Sequence, residues 1–214
     1  MRQTPKSMRG FEDFTRTRLS KHFFMRDFLL SEISATHGIA NIPDDPALTI
    51  LAGKHLCQNL LDPLEDTFGR LYLRSGYRSR ALNDYGNAHK LNCARTDHPE
   101  ECHVWDRQSS GDGALELIVG ATVVIPWFAD QYGQGRDWRD MAWWVHDHLP
   151  YSEMWFFPKL CAFNLSWRAK PWRKIASYIA PKGTLLARGA APALNLAARQ
   201  DCYRDFPAFC GRAS

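Results

Sequence analysis

The stretch from Leu115 to Phe128 is the longest apolar run in the chain, interrupted by Glu116 and Pro126. It is too short to span a bilayer, which takes about 20 apolar residues in a helix. Its Val and Ile content, set between polar segments, predicts a strand buried on both faces over Leu115–Val124. A strand of that kind must be covered by other elements. The expected fold is therefore α+β: a small mixed or antiparallel sheet flanked by helices.

The remaining pattern supplies those elements. Phe28, Leu29 and Ile33 recur at helical spacing, which predicts a helix over Arg26–His37 stopped by Gly38. Leu48, Leu51, His55, Leu56, Leu60, Leu64 and Phe68 mark one face of a longer helix over Pro46–Phe68, with Pro63 inside to kink it. A short strand follows at Arg70–Arg74. Trp138–His148 reads as a helix, and Met154–Phe157 and Leu160–Trp167 read as short strands. Between these, Arg78–Asp112 is polar and lacks apolar periodicity. A loop of that length inside a domain is a mark of function.

With 214 residues, 45% of them hydrophobic, the chain can build one full core. Residues 1–18 are polar and basic and read as a flexible lead-in, 19–183 as a single domain, and 184–214 as an Ala-rich tail in which Phe206 and Phe209 can dock. The net charge of +4 is a mild bias, well short of a basic arm, so nucleic acid is not the expected partner. The start lacks an apolar h-region and a cleavage site, which predicts a cytoplasmic protein, or one released by lysis. In that setting the six cysteines are expected as free thiols or metal ligands. The sequence holds no Gly-rich phosphate loop, Ser-His-Asp signature or CxxC pair, so nucleotide, serine-hydrolase and thioredoxin chemistry lack support.

Several clusters can carry chemistry, each with a plainer structural reading. Ser75-Gly-Tyr-Arg-Ser79 follows a strand, and Arg78 can present a planar fork to a carboxylate; the plainer reading is a turn with Arg78 in a structural ion pair. His89, Cys93, His98, Cys102 and His103 crowd into fifteen residues and offer soft and imidazole ligands for a structural zinc, or form an unmetallated loop. In His103-Val-Trp-Asp106 the acid can orient the imidazole or simply stabilise the loop. Trp127, Trp143, Trp144, Trp155, Phe156, Phe157 and Trp167 read as core before groove. Arg168, Lys170, Arg173 and Lys174, with Trp167 and Trp172, read as a solvated face before a polyanion site.

Phe23-Phe24…Asp27-Phe28…Ser31-Glu32, then Gly38-Ile39…Asn41-Ile42-Pro43, Leu61-Asp-Pro-Leu64 and Ser75-Gly-Tyr-Arg-Ser79…Asn83 together resemble the D-alanyl-D-alanine carboxypeptidase and dipeptidase superfamily, which shares its fold with Hedgehog signalling domains. The resemblance covers roughly residues 20–120 and reaches Trp167 more loosely. It implies a Hedgehog/DD-peptidase-like fold and one zinc held by two His and one acid, with a Glu as general base. Such a site leaves one position for an activated water. Carried onto this chain, the metal ligands are His103 with Asp112 or Glu116. His89 with Asp97 is the other register. Arg78, Ser75 and Tyr77 contact the substrate, and Glu153 or Asp106 is the base.

The resemblance also places the last zinc ligand at Asn164, a neutral amide, so Asn164 is expected in the substrate cleft. His146 or His148 can replace it only singly, since i and i+2 on a helix point apart. The leading expectation is a zinc-peptidase-like hydrolase acting on short peptides such as peptidoglycan stem fragments. The alternative is a binding domain of the same fold that has lost zinc. A third is a structural-zinc, nucleic-acid-binding protein.

Overall fold

The structure is a computed structural model and describes residues 4–111 and 114–210. Asp112, one of the candidate ligands, lies outside the described residues. The chain clusters into two compact units, Met1–Gln58 with Ser75–Ala121, and Asn59–Arg74 with Thr122–Ser214.

The elements run α1 (Met8–Thr15), α2 (Glu32–His37), α3 (Pro46–Leu56), α4 (Asp62–Phe68), β1 (Tyr72–Ser75), α5 (Arg80–Ala88), β2 (Gln108–Gly111), β3 (Ala114–Val124), α6 (Pro126–Gly133), α7 (Trp138–His148), β4 (Glu153–Phe156), β5 (Phe163–Arg168), β6 (Lys174–Ser177), β7 (Gly183–Leu186) and α8 (Leu196–Cys202). The fold is mixed α+β, a mixed sheet flanked by helices. The sheet's order is β1-β3-β5-β4-β6-β7, with β2 pairing antiparallel to β3. β4 pairs antiparallel with β5 and parallel with β6. The predicted strand at Leu115–Val124 is β3. Of its residues Ile118, Val119, Ala121, Val123 and Val124 are buried.

The helix predicted over Arg26–His37 is instead two pieces. A 3-10 turn at Met25–Phe28 is closed by Asp27, whose carboxylate accepts Phe24 N–H at 2.7 Å, and α2 starts afresh with Ser31 as its cap. The predicted Pro46–Phe68 helix runs its full length, but Cys57–Leu61 is a π-helical turn. Pro63 has no N–H to donate, and the wider turn just before it absorbs the mismatch. Pro126, read above as an interruption, occupies the first turn of α6, where its fixed φ is favourable.

Within the first unit, Phe23, Phe28, Tyr77 and Trp105 form an aromatic core: Phe28–Trp105 centroids are 5.0 Å apart, Phe23–Phe28 5.7 Å and Tyr77–Trp105 5.9 Å. The Trp105 indole N–H donates to Gly120 O at 2.9 Å. Within the second, Phe156 stacks on Phe163 at 4.7 Å and meets Trp138 at 5.0 Å, while Phe68 meets Trp144 at 4.6 Å and Trp127 at 5.2 Å. The tail docks as its aromatics suggested. Phe206 packs on Phe68, Trp127 and Phe128, and Phe209 packs on Trp144 and His148.

Candidate functional site

The segment Ser75–Ser79 is fixed by its own backbone. Tyr77 N–H donates to Phe28 O (2.9 Å), Arg78 N–H to His103 O (2.8 Å), and Ser79 N–H to Asn41 Oδ1 (2.7 Å). Asn41 donates in turn from Nδ2 to Leu29 O and Tyr77 O. Ser79 Oγ donates to Ala40 O and accepts Leu82 N–H, capping α5. Gly76 sits against Phe28 so closely that a Cβ there would lie 2.6 Å from Phe28 O.

This frame brings Ser75, Tyr77, Arg78 and His103 together. The Arg78 guanidinium donates to Ser75 Oγ (3.0 Å) and, more loosely, to Asn83 Oδ1 (3.5 Å). It is half-buried, and among the described residues it makes no ion pair. His103 is buried, and its Nδ1 lies 2.8 Å from Gly76 O. A carbonyl can only accept, so Nδ1 carries a proton and donates it to Gly76 O. Glu101, 3% exposed, accepts His103 N–H at 2.7 Å. Burial pushes the Glu101 carboxyl up; the His103 amide and the charges of Arg78 and Arg107 partly offset this. Glu101 carries no sequence signal that sets it apart from other loop acids.

The other candidates have different surroundings. Asp106 accepts Asp44 N–H (2.7 Å) and Asp45 N–H (3.2 Å) and lies 3.3 Å from the Tyr77 hydroxyl. Its carboxylate ties down the lead into α3, and the His103 ring takes Gly76 O rather than Asp106 as its partner. Burial pushes the Asp106 carboxyl up. Glu116 is half-buried on β3, opposite Ser109 of β2. Glu153 and Asn164 belong to the second unit. Glu153 opens β4 with Arg168 Nη2 3.9 Å from its Oε1. Asn164 sits on β5 between buried Phe163 and Leu165, so it faces the opposite side from them. Its Oδ1 accepts the Thr122 hydroxyl at 2.6 Å.

The Cys/His loop is held by side chains. Asn83 Nδ2 donates to Ala94 O (2.9 Å) and Thr96 Oγ1 (3.0 Å), and Asn87 Nδ2 to Cys93 O (2.8 Å). Arg107 donates to the carbonyls of Thr96, His98 and Glu101. His89 stacks on Tyr85, with centroids 3.9 Å apart. All six cysteines are free thiols; four are buried.

His146 and His148 are engaged inside the second unit. His148 Nδ1 meets Trp144 O at 2.8 Å. His146 Nδ1 meets the Tyr151 hydroxyl at 2.9 Å, while Arg173 donates to His146 O. Burial and then the Arg173 charge push the His146 imidazole down to about 4, from 6.5 in an unfolded chain. The folded form therefore holds this ring neutral while the unfolded chain protonates it. The resulting stability is present above pH 6.5 and is lost as pH falls towards 4. The melting temperature is expected to fall from pH 7 to pH 5 by more in the wild type than in His146→Gln. Equal falls would remove His146 as a contributor.

The described donors do not make up a three-ligand zinc site. Among the described residues no group of three or more His, Cys, Asp or Glu side chains comes close enough together to hold a metal. Asn164 contributes an amide oxygen that already accepts a hydroxyl, and such an oxygen is a poor zinc donor beside imidazole. No protein-family model, curated protein or solved structure matches the chain. Among the described residues no helix is long and apolar enough to cross a membrane.

Proposed function

We propose that this chain is a peptide-binding domain of the zinc-peptidase type that grips the terminal carboxylate of a short peptide, such as a peptidoglycan stem fragment, through Arg78. The observation that carries this reading is the state of the Arg78 guanidinium. It is half-buried and hydrogen-bonded to two neutral oxygens, Ser75 Oγ and Asn83 Oδ1, with no ion-pair partner among the described residues, while the buried Glu101 carboxyl feels its charge from farther off. A guanidinium held this way keeps its charge for an incoming anion, and its planar fork matches a carboxylate bidentately. Ser75 lies on the same turn and borders the bound group; Tyr77, expected beside the substrate, is instead fully buried against Trp105 with its hydroxyl on Asp106.

Isothermal titration with a peptide ending in D-Ala-D-Ala, as free acid and as amide, tests this. The acid is expected to bind at least about tenfold more tightly, and Arg78→Lys is expected to lose about that factor, because an ammonium cannot reproduce the fork. Equal binding of acid and amide, or an unaffected Arg78→Lys, sinks the reading.

A second reading, hydrolysis with zinc on His103 and on Asp112 or Glu116, is favoured by the His103–Gly76 hydrogen bond. Metal-ligating imidazoles are typically oriented by such a bond from their other nitrogen. Zinc content and peptide hydrolysis, measured for wild type and Asn164→His, separate the two. Stoichiometric zinc in the wild type that is lost in His103→Ala supports hydrolysis. Zinc held only by Asn164→His supports a binding domain that has lost a ligand.

A further inference from the structure

From Met154 to Gln200 the chain carries eight Lys and Arg residues and no Asp or Glu. Elsewhere 19 basic residues are outnumbered by 23 acidic ones. The mild +4 of the whole chain therefore conceals a strongly basic segment attached to an acidic remainder, and charge asymmetry of this kind is the footprint of a polyanion partner.

Several of the eight cations are used internally. Arg168 lies against Glu153, Arg173 donates to Leu149 O and His146 O, and Arg199 pairs with Asp147. Lys159, Lys170, Lys182 and Arg188 are exposed, and Lys174 is half-buried.

The sheet places rings beside these charges. On β4, Met154 and Phe156 are buried, so Glu153 and Trp155 occupy the other face, and Phe157 continues it. Glu153 pairs with Lys174 and Trp155 with Ala176, which puts Lys174, Ala176 and then Tyr178 on that same face. Lys174 Nζ lies 5.3 Å from the Trp155 centroid, and Tyr178, 51% exposed, is 5.2 Å from Trp155 and 5.6 Å from Phe157. Arg74 lies 5.8 Å over Phe157. Arg168 and Arg188 lie over the Trp172 ring at 3.7 and 4.3 Å. Glu153, the one carboxylate in this array, is matched by Arg168.

We infer that this face of β4 and β6 binds single-stranded nucleic acid, with phosphates drawn by Arg188, Lys170 and Arg74 and bases stacking on Tyr178 and Trp155. A simple polyanion needs only the cations. The rings interleaved with them match a ligand that carries planar groups between its charges, and every base has a face to stack. The inference is independent of the carboxylate site proposed above, since it uses none of that site's residues.

Fluorescence anisotropy of a labelled oligothymidylate of about 20 nucleotides with the whole protein tests it. Saturable binding at ~50 mM salt is expected, weakening about tenfold or more at ~200 mM. Tyr178→Ala, at an exposed position, should bind about fivefold or more weaker while melting like the wild type. Lys170→Gln, at an exposed position, should reduce the slope of log affinity against log salt by about 1. Absence of binding at ~50 mM salt, wild-type affinity in Tyr178→Ala, or displacement by polyglutamate at equal charge concentration overturns the inference. The last of these would assign the face to acidic polymers in general.

Discussion

Gly76→Ala is expected to destabilise the protein by about 3 kcal/mol or more, lowering the melting temperature by roughly 6–12 °C for a chain of this size. The added Cβ would lie 2.6 Å from Phe28 O, 2.7 Å from Phe28 Cα and 2.8 Å from Phe28 Cβ. Two of those atoms are backbone, so no rotamer change relieves the clash. Phe28 is itself fully buried and packed on Phe23 and Trp105, so it has nowhere to move. The carbonyl of Gly76 also holds the His103 ring, and the N–H of Tyr77 is bonded to Phe28 O. Any shift that admits the methyl group therefore loosens Arg78 and His103 together, and peptide binding should weaken along with stability. Gly133→Ala is the control. A Cβ there meets nothing within 4 Å, and its melting temperature should stay within a few degrees of the wild type. A Gly76→Ala protein as stable as Gly133→Ala would show that the turn is not packed as described.

The long apolar strand and the helices were legible because burial imposes a period on sequence. α7 and the full span from α3 through α4 show that period, β3 declares itself by an unbroken apolar run, and all are present. What stayed hidden were elements that bury polar residues. α5 looks like loop in the sequence because its inward positions are Leu82, Asn83 and Gly86, of which only Leu82 is apolar. Asn83 is there to hold the carbonyl of Ala94 and the hydroxyl of Thr96. The same holds for the site. Ser75, Tyr77, Arg78 and His103 lie in local motifs that the sequence displays, whereas Asn41 and Glu101 bond to this segment through space and have no motif. Asn41 joins two segments separated by 36 residues, a relation that no local pattern encodes. β6 begins in the basic run that reads as a solvated face, and β7 lies at the start of the Ala-rich tail, so neither stands out from its surroundings.

The tail shows the largest gap between pattern and packing, and Asp147→Ala is expected to expose the reason. Residues after Leu194 have little apolar periodicity, yet α8 is anchored to α7 by a buried ion pair. Arg199 donates from Nε and Nη2 to Asp147 Oδ1 at 2.8 and 2.7 Å, and the Tyr203 hydroxyl donates to Oδ2 at 2.9 Å. The two charged side chains are 12% and 7% exposed. Removing the carboxylate strands a guanidinium and a hydroxyl away from water, at a cost of about 3–5 kcal/mol. Arg199→Met alone should cost a similar amount by stranding the carboxylate. The double variant Asp147→Leu with Arg199→Met should recover much of the loss, because burying two charges costs nearly as much as their attraction returns. Limited proteolysis gives the local readout. Asp147→Ala should be cut between Leu194 and Phe209 before any other site, since Phe206 and Phe209 dock only while α8 stays in place. A loss below about 1 kcal/mol, in the range of a surface pair, would mean that Asp147 and Arg199 are hydrated in solution and that the tail is held by its aromatic rings alone.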